Sequence, residues 1–378
     1  MSVNSNVSGN FPSGGGKLYA LDAIRAFATV FVIVSHTHYL FFSFEDHGIL
    51  FSFLKIIGIM GVPFFVMLTG YFMLHRDYEN EAYLTKYLSR NVFSLLMAYE
   101  FWNVAWNILR YTEVAEEPQP WINIAKAALF MGNTNSALWY LPMAIALYLG
   151  MPVIAVAYNK IKHPMYCAVF VIALVFSGTI IPTIDILFAF TDEVEDFHSV
   201  LKMNVFGASV WGESVWMIYL FAGYAVYKGK LKNISTVLLA FAGVIIPLAI
   251  MCLMTYNGYA LEKNHHSFIL LVLLAVCAFE LITRTENLLR TGAYLRFIVD
   301  KICSVSFAIY TMHIFIGGAF FKCWESYGMT IPMGKEFSFW TASIFYIGFI
   351  LAVIICAYLI AHIFKRNSLI KRYILLMK

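Results

Sequence analysis

The sequence predicts an all-α, polytopic integral membrane protein with about ten transmembrane helices and both termini in the cytoplasm. Of its 378 residues, 61% are hydrophobic and only 13% are charged, which is about half the charged fraction of an ordinary soluble domain. The mean hydropathy is +0.74. So few polar residues cannot cover a water-soluble globule of this size. The composition therefore argues against soluble enzymes, disordered chains, coiled coils and disulfide-stapled secreted domains.

Apolar stretches of roughly 20 residues, long enough to cross about 30 Å of hydrocarbon, recur along the chain. Strands of this length are unusual, and backbone hydrogen bonding within lipid favours helices. Ten stretches are predicted as spans: 19–42, 51–74, 88–110, 137–158, 165–187, 208–227, 233–256, 267–283, 302–322 and 338–364. In the long connection 111–136, an apolar piece near 121–131 predicts a surface helix or a re-entrant segment.

The N-terminal 1–17 segment is rich in Ser, Asn and Gly. It is too polar for the core of a signal peptide, so we expect a disordered tail followed by a membrane domain over 18–378. The orientation follows from the basic residues of the connecting segments. With the N-terminus inside, the cytoplasmic segments hold 18 Lys and Arg residues and the outer segments hold 6. This asymmetry predicts that both ends are cytoplasmic and that the number of spans is even.

The cysteines offer no site. All six stand singly, nearly all of them within apolar stretches, without a neighbouring Cys or His cluster. We therefore expect buried structural thiols and neither a metal site nor a redox pair. Membrane lipids are the expected surroundings, and nucleic acid is not an expected partner.

The first span carries three ionisable residues, Asp22, Arg25 and His36. Eleven residues turn a helix about 20° past three full turns, so Arg25 and His36 share one face about 16 Å apart. Asp22 lies one turn before Arg25, close enough to pair with it. Intramembrane charges usually serve function, and His accepts protons at neutral pH. The structural alternative is a snorkelling Asp22–Arg25 pair, with His36 bonded to a backbone carbonyl.

A second polar stripe lies in the ninth span, where Ser306, Tyr310 and His313 are spaced i, i+4 and i+7. A single His at such a place is more often an interhelical hydrogen-bonding group than a catalyst. Glu213 stands between Trp211 and Trp216 near the outer end of its span. A carboxylate beside aromatic rings suits a sugar, but the aromatic belt of the membrane surface is the favoured explanation of the tryptophans.

The inner loop 75–90 holds Arg76, Lys86 and Arg90. Lys86 and Arg90 are four residues apart and share a helical face, which suits a phosphorylated ligand at the cytoplasmic surface. Ordinary anchoring of an inner loop by positive charge explains the same residues equally well, and the spacing does not separate the two interpretations.

Blocks spread along nearly the whole chain resemble one family, the acyltransferase family 3 membrane proteins, which O-acylate cell-surface glycans in bacteria. The first block, LDAIRAFATVFVIVSHTHYL, holds Arg25 and His36 in the family's Arg-to-His spacing. GVPFFVMLTGYFML resembles the second-helix block, with Thr69 where Ser is usual, and Lys86 and Arg90 match the basic pair after it. The later blocks are ALWYLPMAIALYLGMP, which contains Trp139, then FAGYAVYKGKL and SVSFAIYTMHIFI.

The resemblance implies an acyl-CoA donor, usually acetyl-CoA, on the cytoplasmic side, and a hydroxyl of a cell-surface polysaccharide or its lipid-linked precursor as acceptor. It places the protein in the bacterial cytoplasmic (inner) membrane. The layout is similar to the enterobacterial common antigen O-acetyltransferase type, without an appended hydrolase-like domain.

For the site, we expect catalysis by His36 with Arg25 and Asp22, and binding of the CoA phosphates by Lys86 and Arg90 with Arg76. The candidates for the acceptor side or for an oxyanion are Ser306, Tyr310, His313, Trp139 and Glu213.

The rival interpretation is a secondary transporter or exporter of a glycan or small solute that uses Arg25 and His36 as a relay. No repeat between the two halves is evident, which counts mildly against a transporter.

Overall fold

The computed structural model describes residues 18–113, 120–129, 137–188, 214–258, 265–326 and 338–377. Within these ranges the regular structure is helical and no strand occurs, which confirms the all-α prediction. The predicted polar tail 1–17 lies outside the described residues.

The α-helices of the described ranges are numbered α1 to α18 in chain order. The first nine are α1 Tyr19–Phe41, α2 Phe44–Ile59, α3 Gly61–Met73, α4 Glu81–Tyr87, α5 Phe93–Glu113, α6 Pro120–Ala128, α7 Tyr140–Lys160, α8 Pro164–Val175 and α9 Ile181–Phe188. The others are α10 Ser214–Tyr227, α11 Thr236–Ala240, α12 Ile246–Tyr256, α13 Ile269–Arg284, α14 Glu286–Thr291, α15 Ala293–Ser304, α16 Ser306–Ser326, α17 Phe339–Phe364 and α18 Ser368–Tyr373. Neighbouring helices are joined by π-helical turns at Leu88–Val92, Phe176–Ile180 and Phe241–Ile245.

Seven helical segments of the described chain are long and apolar enough to cross a membrane, so the protein is a multi-pass membrane protein. They are Tyr19–Phe41, Phe44–Met73, Tyr140–Lys160, Pro164–Ile184, Thr236–Tyr256, Ser306–Trp324 and Phe339–Phe364. The other three predicted spans also fall on helices. Of these, α10 and α13 are described over only 14 and 16 residues, and α5 is less apolar. The count of ten and the cytoplasmic ends stay predictions.

Side-chain caps explain where several helices begin. The hydroxyl of Ser43 accepts a hydrogen bond from the Asp46 amide at 3.2 Å, and the Asn80 side chain accepts one from the Tyr83 amide at 3.0 Å. Each bond satisfies an amide that has no partner within its helix. The cap at Asn80 starts α4, so the predicted inner loop 75–90 contains a short helix that continues through a π-helical turn into α5.

The described part of the segment near 121–131 forms α6, a helix of nine residues. At 1.5 Å per residue it is too short to cross the hydrocarbon. Trp121 is 74% exposed. The structure therefore has a short helix where the sequence predicts a surface helix or a re-entrant segment.

The chain divides into two compact units, each built from three pieces. The first unit takes Met1–Arg25, Pro63–Phe72 and Ala168–Asp300, and the second takes Ala26–Val62, Met73–Cys167 and Lys301–Lys378.

In the first unit, α3 and α10 cross with their backbones in contact. A Cβ atom added to Gly70 would lie 2.8 Å from the carbonyl carbon of Leu220 and closer still to its oxygen. A Cβ added to Gly223 would lie 2.6 Å from the carbonyl carbon of Met67. Membrane helices pack this closely only where small residues face each other. The two glycines therefore set the distance between α3 and α10.

In the second unit, the C-terminal half of α1 packs against α17. Their shared core is apolar and buried, and consists of Val34, Phe41, Phe42, Ala342 and Tyr346. Thr37 lies 3.3 Å from the hydroxyl of Tyr346. On another side, Gly58 of α2 lies against Ser35, where a Cβ atom would be 2.7 Å from the Ser35 Cα. These contacts fix the part of α1 that carries His36.

Candidate functional site

The polar stripe of α1, Asp22, Arg25 and His36, lies on one unbroken helix. Thr29 and Val32, which lie between Arg25 and His36 on the same face, are 0% and 3% exposed. The side chains of Arg25 and His36 are half-buried. This face is therefore directed at protein rather than at lipid, as expected for ionisable groups within a membrane. The boundary between the units falls directly after Arg25.

The first unit holds the start of α1, including Asp22 and Arg25, in a fixed place. The amide of Ala20 donates to Glu286 Oε2 at 2.8 Å. The guanidinium of Arg296 lies 5.5 Å from the centre of the Tyr19 ring, a cation–π contact. Because both contacts join α1 to residues far along the chain, they position the helix that carries the stripe.

The second unit brings His36 next to His313 of α16. The centres of the two imidazole rings are 5.4 Å apart and the ring planes are inclined by 40°. We call these two residues the histidine pair. They come from the two polar stripes that the sequence identifies separately, so the structure joins two predicted site elements. His36 is half-buried, whereas His313 is only 1% exposed.

The hydrogen bonding of His313 defines its tautomer. Its Nδ1 lies 2.7 Å from the backbone carbonyl oxygen of Tyr310. A carbonyl oxygen only accepts, so Nδ1 carries the hydrogen and the neutral ring presents a lone pair at Nε2. Nε2 is buried and has no hydrogen-bond partner among the described residues. A buried acceptor without a donor is costly, so His313 Nε2 is an unsatisfied polar atom in the ring that lies beside His36.

Tyr310 has a positioning role. Its hydroxyl donates to the carbonyl oxygen of Ala137 at 2.7 Å, and its ring centre lies 6.2 Å from that of His313. The ring of Tyr140, at the start of α7, is 5.9 Å away in an edge-to-face arrangement. A phenol has one hydrogen, and here the backbone takes it. Tyr310 therefore ties α16 to the segment before α7 rather than offering that hydrogen to an oxyanion.

The other acceptor-side candidates are placed less centrally. Ser306 is the first residue of α16, is 9% exposed and lies about two turns before His313. Trp139 is half-buried and directly precedes α7, two residues after Ala137. Glu213 lies outside the described residues.

The basic residues after α3 are exposed and belong to the second unit. Arg76 lies in the turn before α4, Lys86 lies in α4, and Arg90 lies in the π-helical turn that follows. All three side chains are exposed, so an anion in solution can reach them. We call Arg76, Lys86 and Arg90 the basic patch.

Tyrosines of the same segment pack against one another. The hydroxyl of Tyr87 donates to the carbonyl oxygen of Tyr148 at 2.8 Å, and the rings of Tyr83 and Tyr87 stack with centres 6.5 Å apart. Burial raises the pKa of the Tyr87 hydroxyl, so it stays protonated and keeps donating. An ion pair between Lys160 and Glu79 joins the end of α7 to the same loop. The patch therefore lies on an ordered surface.

Sequence reasoning missed His38, two residues after His36. Its Nδ1 lies 2.9 Å from the carbonyl oxygen of Val34, which by the same argument leaves a lone pair at Nε2. That nitrogen is buried without a hydrogen-bond partner among the described residues, and the ring is 4.8 Å from that of Phe51. The signal that could have found it is the second His of the Ser-His-Thr-His run that begins at Ser35.

Sequence reasoning noted Glu100 among the acids within the spans but missed two buried amides on the same face of α5. Glu100 lies within the third predicted span, and Asn103 and Asn107 share its face at i+3 and i+7. The two Asn residues are 1% and 5% exposed. The Asn107 amide donates to the Asn103 carbonyl oxygen at 2.8 Å. Amides four residues apart within an apolar helix are the signal that would have found them.

Comparison with known proteins gives one family. The model of the family Acyl_transf_3, described as an acyltransferase domain, matches residues 18–362. The matched range includes the stripe of α1, the basic patch and the histidine pair. No curated protein and no solved structure matches the chain.

Proposed function

Because the chain belongs to the acyltransferase 3 family and is a multi-pass membrane acyltransferase, we propose a specific reaction for it. The donor is an acyl-CoA, in the first place acetyl-CoA. The acceptor is a hydroxyl of a cell-surface polysaccharide or of its lipid-linked precursor. The reaction takes place in the bacterial cytoplasmic membrane, with both termini of the chain in the cytoplasm.

The observation that carries this proposal is the histidine pair. His36 is half-buried and therefore reachable by a substrate, whereas His313 is sealed behind it, with an acceptor nitrogen that no described residue bonds. Acyl transfer to an alcohol requires a base that takes the hydroxyl proton as the oxygen attacks, and an imidazole suits this task. His36 is that base, and His313 is a positioning residue whose ring packs beside that of His36.

The bonds and the proton of the proposed transfer can be followed step by step. The acceptor oxygen attacks the thioester carbonyl carbon while its proton passes to a ring nitrogen of His36. The tetrahedral intermediate collapses, the carbon–sulfur bond breaks, and the departing sulfur takes the proton from His36 as CoA thiol. In the alternative route a ring nitrogen of His36 attacks the thioester carbonyl carbon, the carbon–sulfur bond breaks, and CoA leaves as the thiol with the proton of the ring. The acceptor oxygen then attacks the acyl group on His36, and the hydroxyl proton returns to the ring as the nitrogen–carbon bond breaks. Intact-protein mass spectrometry after mixing with acyl-CoA alone separates the two routes, because only the second adds an acyl group to the protein.

The remaining residues bind and orient the substrates. Arg25, oriented by Asp22, attracts the donor or stabilises charge that develops at the thioester. Ser306 and Trp139 shape the acceptor side, together with Glu213. The basic patch holds the CoA phosphates at the inner surface through charge-assisted hydrogen bonds.

The basic patch gives the first prediction. Replacing Lys86 or Arg90 by Ala is expected to raise KM for acetyl-CoA about fivefold with kcat nearly unchanged, because one charge-assisted contact contributes roughly 1 kcal/mol at an exposed site. A truncated donor without the nucleotide, such as acetyl-pantetheine, should show no change. Lys162→Ala is the matched control, since Lys162 is also an exposed lysine of a short inner loop. An equal rise in KM for Lys162→Ala, or a fall in kcat instead, contradicts this assignment.

The proposed function itself is tested on surface glycans. Mass spectrometry of glycans from cells with the gene, without it, and with His36→Ala should show an acyl group on the glycan only in the first. If the glycans are identical in all three, the acceptor assignment is wrong. Uptake or efflux of a glycan by proteoliposomes that contain no CoA would favour the transporter interpretation instead.

A further inference from the structure

A cavity of about 500 Å³ lies within the first unit, whereas the histidine pair and the basic patch belong to the second. Small-molecule sites commonly measure 300 to 1,000 Å³. Its charged lining consists of Lys232, Arg284, Arg290, Glu280 and Glu286. These residues lie in segments that the loop charges place at the cytoplasmic side. Nothing in the reaction described above uses them.

The two carboxylates of the cavity are already paired. Glu280 accepts from Arg284 Nε at 2.9 Å, and Glu286 accepts from Arg290 at 3.2 Å. The second oxygen of Glu286 accepts the Ala20 amide. Carboxylates engaged in this way are poor ligands for a cation. With three cations against two carboxylates, the lining carries a net positive charge.

Arg284 acts as a structural clamp. Besides Glu280, it donates to the carbonyl oxygens of Ile234 and Leu231 at 2.9 and 2.8 Å, and to the Thr236 hydroxyl at 2.8 Å. Four of its five donors are thereby used. The clamp fixes the loop 231–236, and with it Lys232 at the rim of the cavity. Arg290 and Asn287, three residues apart on α14, line the same space.

We propose that this cavity binds a phosphate group through Lys232, Arg290 and Asn287. Two cationic side chains and an amide donor around one space suit a phosphate ester. The rest of the lining carries no charge and is formed by Leu18, Ala20, Leu21, Val226, Tyr71 and Thr283, so the rest of the ligand is uncharged. A nucleotide and a phospholipid headgroup both have this chemistry. The inference does not depend on acyl transfer, because it is tested by binding alone.

The test measures binding to the purified full chain in two arms. In the first, titration with adenosine 3′,5′-bisphosphate probes a nucleotide source. In the second, native mass spectrometry of delipidated protein compares phosphatidylglycerol with diacylglycerol, which lacks the phosphate. Lys232→Ala, Arg290→Ala and Asn287→Ala are compared with wild type. Lys230→Ala is the matched control, because Lys230 is an exposed lysine of the same loop that does not line the cavity.

We expect one of the two phosphate probes to bind the wild-type protein. Lys232→Ala or Arg290→Ala should weaken this binding about tenfold, because each removes one charge-assisted hydrogen bond within the cavity. Lys230→Ala should leave the binding unchanged. Arg290→Lys retains the positive charge that faces Glu286, and should bind the probe more tightly than Arg290→Ala. The proposal is overturned if neither probe binds, if Lys232→Ala and Arg290→Ala both bind the probes as tightly as wild type, or if Lys230→Ala weakens binding as much as Lys232→Ala does. If neither phosphate probe binds, the result of the glycan experiment is unaffected. A negative glycan experiment likewise leaves the binding result unaffected.

Discussion

Replacing His36 by Ala is expected to lower kcat for acyl transfer by about 10² to 10⁴, with KM for acetyl-CoA little changed, because general-base catalysis contributes a factor of that size. The imidazole is half-buried, so its removal leaves little unfilled core and the variant should insert and fold. The measurement is a rate of thiol release from acetyl-CoA that depends on the acceptor, made on protein reconstituted in nanodiscs.

His362 offers a matched control for this variant. It is another imidazole of the second unit, with its ring stacked 3.9 Å from that of Tyr358, and it has no part in the proposed reaction. His362→Ala should retain nearly full activity. Activity of His36→Ala within a few fold of wild type, in protein with a wild-type melting curve, removes His36 from the chemistry.

Replacing Gly70 by Ala is expected to lower the free energy of unfolding by about 2 kcal/mol or more. The new methyl group meets the backbone of Leu220, which cannot turn aside as a side chain can, and overpacking of this kind typically costs 1 to 3 kcal/mol. The gain in helix propensity, up to about 1 kcal/mol, offsets only part of this. Thermal unfolding in detergent, followed with a dye that reacts with newly exposed thiols such as the buried Cys277, measures the effect.

At Gly348 the same substitution is not expected to destabilise the protein. It lies within α17, and a Cβ atom added there meets no atom within 4 Å. Gly348→Ala should therefore leave the melting temperature unchanged or raise it. The free energy of unfolding should rise by no more than about 1 kcal/mol. If Gly70→Ala melts at or above the wild-type temperature, the close crossing of α3 and α10 is wrong.

Hydropathy predicts most of the fold because a long apolar stretch in lipid has to be helical. Over the part of the chain that the structure describes, each of the ten predicted spans falls on a helix. What hydropathy does not specify is the local geometry. The π-helical turns at Leu88–Val92, Phe176–Ile180 and Phe241–Ile245 lie within apolar sequence of ordinary appearance. The crossing at Gly70 and Gly223 depends on which faces of two distant helices meet, and spacing along one helix does not contain that information.

The sequence predicts the individual residues of the candidate site but not the contacts between them. Helical periodicity groups Arg25 with His36 and Tyr310 with His313. The contact between His36 and His313 is a tertiary contact, so no periodicity within either helix could predict it. The sequence predicts that Tyr310 faces an acceptor or an oxyanion, whereas its hydrogen goes to the carbonyl oxygen of Ala137. A single sequence does not reveal which backbone carbonyl lies beside a side chain.

If His36 and His313 act as one unit in acyl transfer, a double-mutant cycle detects the coupling between them. The rates of His36→Ala, His313→Gln and the double variant are compared with wild type under saturating acetyl-CoA. Residues that act as a unit show strongly non-additive effects. We predict that the double variant is no slower than His36→Ala alone. The two residues do not act as one unit if the rate losses of the single variants multiply in the double variant. The same conclusion follows if the His313→Gln enzyme is as fast as wild type.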